Sequence, residues 1–353
     1  MTRSALTAAT AALAMIAFPS GLVSHASDPF GFLSPDIAVG LDERQRLERG
    51  ETVVKVLPGR DGYLALSAIV KVEATAARVV AWTSQVEKLQ KGKYVPEVGR
   101  FSTPPHLRDL DGLTIEPGDL VALRRCRPGD CDVKLSDVEI DRLRSVGDVG
   151  LETAFRQILI ERATNYLRDG DSSALPYRDH KTPVAPAEAF QAVLHRLTFF
   201  PRQFDRYEAY LRGFPNIADR HVQESFLYWS KETLGMKPIV SITHFSAAWF
   251  DTPDRPEAMV VSKQVYATHY RNAAITMNVV VADGASHYLV YINRSQIDAF
   301  KGMFGGFVRR VVERRVLAEA PDVLRGIRRR IEAAPPDPLR QIDRDTHGRT
   351  IPD

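Results

Sequence analysis

Hydrophobic and polar positions alternate with period two between Gly50 and Val72, first in Thr52-Val-Val-Lys-Val-Leu57 and then from Tyr63 to Val72. The Pro-Gly-Arg-Asp-Gly stretch at 58–62 separates them, so the pattern predicts two strands joined by a tight loop. From Ala74 to Lys91 the period changes to that of an amphipathic helix, with Ala77, Val80, Ala81, Ser84 and Leu89 near one face and Gly92 as its stop. Tyr94 to Thr114 is turn-rich and extended. Helical patterns then dominate: Leu135 to Arg144 behind Ser136, Val149 to Leu167, Pro186 to Leu197 and Arg202 to Leu211. Strand periodicity returns at Ser225 to Lys231, Pro238 to Phe250, Met259 to Tyr270, Ala273 to Ala282 and His287 to Arg294.

The last two of these segments flank Asp283-Gly284, a hairpin signal that fixes register. It predicts Ile275, Met277, Val279 and Val281 on the face shared with Tyr288, Val290 and Ile292. The opposite face then carries Thr276, Asn278, His287, Tyr291 and Asn293. A long helix follows from Phe307 to Ala333, with a break expected at Pro321. The fold class is therefore α+β: an antiparallel meander closed by a C-terminal helix, with a helical insertion at about 117–222. Residues 51–333 form the domain, 27–50 read as an N-terminal linker, and the polar 334–353 stretch as a disordered tail.

The first strand running into the first helix, Ala68-Ile-Val-Lys-Val-Glu-Ala-Thr-Ala-Ala-Arg-Val-Val-Ala-Trp82, resembles that passage in the START and polyketide-cyclase superfamily. His287 to Arg294 followed by Phe307 to Ala333 is similar to its closing strand and helix. The resemblance covers 51–91 and 224–333; the insertion departs from the family pattern. It implies a helix-grip fold, a curved antiparallel sheet gripping the terminal helix around a cavity for lipids, sterols, polyketides or other apolar molecules. It transfers no catalytic residue.

Residues 1–26 read as a secretory signal peptide, with Arg3 before the apolar Ala5 to Phe18 run and Ser24-His25-Ala26 at the processing site. That places the protein in the periplasm or secretes it, and an oxidising compartment favours a disulfide between Cys126 and Cys131, the chain's two cysteines. The net charge of +3 is carried by 47 basic residues, of which only 11 are lysine. An arginine-rich terminal helix either pairs with Glu313, Glu319 and Glu332 in solvent or makes peripheral contact with an anionic membrane. Export and the spread of acidic residues disfavour nucleic acid.

Candidate chemistry lies in the meander. Ser262 to Tyr270 is unusually polar for a strand, and period two puts Ser262, Gln264, Tyr266, Thr268 and Tyr270 on one face. Gln264, Tyr266, Tyr270, Tyr288 and Arg294 are the candidate ligand contacts, with a half-exposed strand meeting water as the alternative. His244 and His269 are candidate general bases; with His287 they fall on successive strands, yet no acidic companions there support a metal site. No Gly-rich phosphate loop, Gly-x-Ser-x-Gly or His-Glu-x-x-His motif occurs. The expectation is an exported carrier of a hydrophobic ligand, a lipid first among them, needing no cofactor. A cyclase or dehydratase on the same scaffold and an envelope interaction protein are the alternatives.

Overall fold

A computed structural model describes residues 28–58, 62–233, 237–250, 256–284, 286–300 and 305–333. The expected signal peptide and the expected tail lie outside the described residues. Eight strands form one open, curved antiparallel sheet: β1 (Val53–Val56), β2 (Tyr63–Val72), β3 (Glu97–Arg100), β4 (Val222–Glu232), β5 (Ile239–Trp249), β6 (Ala258–Ala267), β7 (Arg271–Asp283) and β8 (Ser286–Ile297). Their order across the sheet is β1-β2-β8-β7-β6-β5-β4-β3. The helices are α1 (Leu41–Glu48), α2 (Ala76–Ser84), α3 (Val86–Leu89), α4 (Pro117–Arg125), α5 (Asp137–Ser145), α6 (Asp148–Asp169), α7 (Pro186–Leu194), α8 (Phe200–Gln203), α9 (Asp205–Gly213) and α10 (Gly305–Ala333).

Register follows the hairpin signal. β7 and β8 close on the Asp283–Ser286 pair, with Gly284 at φ 61°, where the absence of a Cβ lets the chain reverse. Val281 pairs with Tyr288, Val279 with Val290 and Met277 with Ile292, and all six are buried on one face. That face packs against α7 to α9 and against Phe30, Leu33, Ile37 and Leu47 from the N-terminal segment. The segment 28–50 is thus packed structure rather than the linker its composition suggested, because four apolar side chains and α1 find a place on the sheet. Toward β4 the same face is covered by α4 to α6. Ser136 begins α5 with a reciprocal cap: the Glu139 carboxylate accepts from the Ser136 N–H at 2.8 Å, and the Ser136 hydroxyl accepts from the Glu139 N–H.

The other face carries α2 and α10. Val79, Val80 and Ile331 pack on Val70, Leu289, Val280 and Val260. Val308, Val312 and Val316 of α10 pack on Leu64 and Leu66. The predicted Ala74–Lys91 helix is two helices, since Gln85 (ψ 64°) leaves helical geometry. Pro321 does not break α10. Its ring accepts a helical φ and removes one N–H donor from a helix held by packing at both ends. The arginines pair as i,i+4 partners: Arg309–Glu313 at 2.9 Å, Arg315–Glu319 at 3.1 Å and Arg328–Glu332 at 2.8 Å.

Candidate functional site: a polar groove beneath the terminal helix

α10 rests on β1 and β2 at one end of the strand order, and its Glu319 accepts a hydrogen bond from the Tyr94 side chain beside β4 near the other. At its C-terminal end Ile331 packs with Val70, Leu289, Val280 and Val260 on the same face. On that face Ser262, Thr276, Asn278, Tyr291 and Asn293 remain partly exposed, although β6, β7 and β8 are interior strands. Their neighbours on the insertion face, Val261, Met277, Val279, Val290 and Ile292, are fully buried. The middle of this face is thus incompletely covered, and this strip beside α10 is the candidate groove.

Antiparallel pairing builds the groove floor. Ser262 opposes Thr276, Thr276 opposes Asn293, and Asn278 opposes both Val260 and Tyr291. Asn293 donates to the Thr276 hydroxyl at 2.9 Å, and Ser295 donates to Asn293 at 2.8 Å. Toward β4 stand Tyr228, which accepts from Gln90 at 3.3 Å, and the partly buried pair Arg271–Glu232. Arg271 donates to both Glu232 oxygens at 2.8 Å, and Ser241 donates to the same carboxylate at 2.9 Å. Burial alone would raise the Glu232 carboxyl, but the charge and hydrogen bonds of Arg271 outweigh it and hold its pKa low. Burial raises the Tyr228 phenol, which stays neutral. The groove offers hydroxyls, amides and one ion pair, between apolar zones at Leu64 and Leu66 and at Phe245 and Val260.

The residues singled out from the sequence are dispersed. Residue Val265 is an extra residue in β6, because Ile242 pairs with Tyr266 while Thr243 pairs with Gln264. This bulge breaks the period and puts Tyr266 on the insertion face, opposite Ser262. Tyr266 is fully buried under the insertion with the Arg162 guanidinium 4.3 Å from its ring. Tyr288 lies on the insertion face against Phe30, its hydroxyl bonded to Glu48. Arg294 is on that face too, 3.8 Å from Asp36. Tyr270 sits in the β6–β7 turn at φ 60°, and its hydroxyl accepts from the Lys237 N–H at 3.3 Å.

The histidines do not converge either. His244 is buried on the insertion face, with Nδ1 2.8 Å from the Tyr166 hydroxyl and Nε2 2.8 Å from the Ser225 hydroxyl. Burial and the Lys263 ammonium depress its pKa to about 3, so it is a weak base at neutral pH. His269 is clamped between the Asp132 carbonyl (2.8 Å) and Asp119 (3.1 Å). His287 lies on the groove face, 3.3 Å from Glu257. Asp179, His180 and Asp298 lie close together, but the Lys134 ammonium already occupies the space between the two carboxylates, 2.7 and 2.5 Å away. The sequence reading missed Tyr228, Glu232, Arg271 and Gln90. The available signal was the alternation Tyr228-x-Ser230-x-Glu232, polar on one face of a strand whose other face holds Leu227 and Trp229.

No protein-family model matches the chain, and no curated protein matches it. A solved structure, that of the protein TTHA0849 from Thermus thermophilus, is similar at 12% identity, covering 42% of this chain and 90% of its own, with a TM-score of 0.24. That likeness is too slight to bear on fold or function.

Proposed function

We propose that this is an exported, START-like carrier that holds an amphipathic, largely hydrophobic molecule, a lipid first among them, in the groove between the sheet and α10. The observation that supports it most directly is the partial exposure of Ser262, Thr276, Asn278, Tyr291 and Asn293 in the interior of an eight-stranded sheet. A polar strip between apolar zones suits a ligand with a polar group and a larger apolar body. Strand order and the closing helix agree with the helix-grip resemblance. The Cys126–Cys131 disulfide, with Cα atoms 4.4 Å apart, agrees with export to an oxidising compartment. Apolar burial supplies most of the affinity, and Tyr228, Asn278 and Tyr291 orient the polar end.

Native mass spectrometry of the mature protein taken from its own compartment tests this reading. One class of amphipathic molecule should be retained at near one-to-one stoichiometry, and Tyr228→Phe together with Tyr291→Phe should weaken its retention without unfolding the chain. A protein that emerges empty under conditions that preserve weak complexes overturns the carrier role.

A further inference from the structure

A second site lies on the other face of the sheet, independent of the groove. Two bulges stand beside each other there. Val265 is the extra residue of β6 against β5, and Asn272 is the extra residue of β7 against β8, since Arg271 pairs with Ile297 and Ala273 with Gln296. The β6–β7 ladder ends at Lys263 and Ile275, so beyond it the two strands splay. Bulges re-aim side chains, and these turn Gln264, Val265 and Asn272 toward a cavity of about 130 Å³ roofed by α5, α6, α7 and residues 171–175.

The cavity is lined by polar atoms that have nothing to bond. Asn272 is 2% exposed, yet neither its Nδ2 nor its Oδ1 has a partner among the described residues. Gln264 Oε1, Asp171 Oδ2 and Arg162 Nε are also buried without a partner there. Native proteins leave few such groups unpaired, and several around one cavity mark a place where something else supplies the bonds. The charges on its walls are matched: Arg162 with Glu139 at 2.5 Å, Lys263 with Asp171 at 2.7 Å, and Arg142 with Glu161 at 2.7 Å at the partly exposed rim. An ionic ligand would therefore lack a counter-charge. Hydroxyls both donate and accept, which answers three orphan acceptors and two orphan donors, while Phe190 and Val265 give the carbon chain an apolar wall.

We propose that this cavity binds a small neutral polyhydroxylated molecule. The volume suits a ligand of about six heavy atoms, and alternatively about four waters at roughly 30 Å³ each. The test is ligand-observed NMR titration of glycerol and erythritol into the full chain. Saturable binding is expected. Asn272→Leu, which removes the orphan amide, and Ala187→Leu, which fills the cavity from α7 and leaves the bulges intact, should each weaken it by about tenfold or more. A wild-type chain without saturable binding contains a water cluster only, and binding unchanged in both variants places the polyol elsewhere; either result overturns the site. Because the groove is on the opposite face, both variants should retain whatever molecule the groove carries.

Discussion

His244 couples stability to pH through one buried ring. Unfolded, its imidazole titrates near the ordinary 6.5; folded, burial and Lys263 hold it to about 3. The unfolded chain therefore binds a proton below pH 6.5 that the native chain refuses, so stability is full above that pH and is lost as pH falls toward 3. Between pH 7 and pH 5 the loss amounts to about 2 kcal/mol. His244→Gln should flatten the pH dependence of stability by that amount, read from urea unfolding at the two pH values. Equal slopes for the two proteins would show that the ring titrates alike in both states. The depressed basicity also bears on chemistry: the 2.8 Å contact between His244 and the Ser225 hydroxyl resembles a nucleophile and its base, but a base of this strength takes up little of a proton near pH 7.

At the scale of elements, β3 is an edge strand whose attachment depends on one missing side chain. Gly99 pairs directly with Trp229, and a Cβ on Gly99 would lie 2.8 Å from the indole ring. The ring cannot swing away without losing the 2.7 Å bond it donates to the Asp109 carbonyl. Gly99→Ala should cost about 1–3 kcal/mol, measured as a lowered denaturation midpoint. Elements of this kind differ in how far the sequence discloses them. The β7–β8 hairpin was legible because Asp283-Gly284 and strict alternation both specify it, and the polar strip of Thr276, Asn278, Tyr291 and Asn293 was legible with it. The β6 candidates were not, because one extra residue at Val265 moves Tyr266 to the opposite face and no local pattern announces the extra residue. Gln85 and Pro321 err in opposite directions, one breaking a helix without a breaker and the other failing to break one, since tertiary packing decides both. The Arg271–Glu232 pair joins strands far apart in sequence and could be found only from the fold.

For the whole molecule, the sheet is a partition with separate business on each side: the groove under α10 and the roofed cavity beneath the insertion share strands but lie on opposite faces. The N-terminal segment belongs to this architecture. Phe30, Leu33, Ile37 and Leu47 are at most 3% exposed against the same face as α7 to α9. Losing each large apolar side chain costs about 2–5 kcal/mol, against a total stability of about 5–15 kcal/mol. A chain beginning at Glu51 should therefore fail to fold, seen as lost near-ultraviolet circular dichroism; an unchanged melting temperature would make 28–50 dispensable.

Strand order carries one more consequence. β2 has β8 as a neighbour, Val72 lying opposite His287 and Tyr63 opposite Gln296. During synthesis, strands β4 to β7 emerge next to their partners, while β3 waits through the whole insertion for β4 and the β1–β2 hairpin waits longer still, for the last strand to appear. Contacts this distant along the chain make folding slow. The final seam cannot be sewn until nearly the entire polypeptide has left the ribosome, so this side of β2 stays an open edge for most of synthesis.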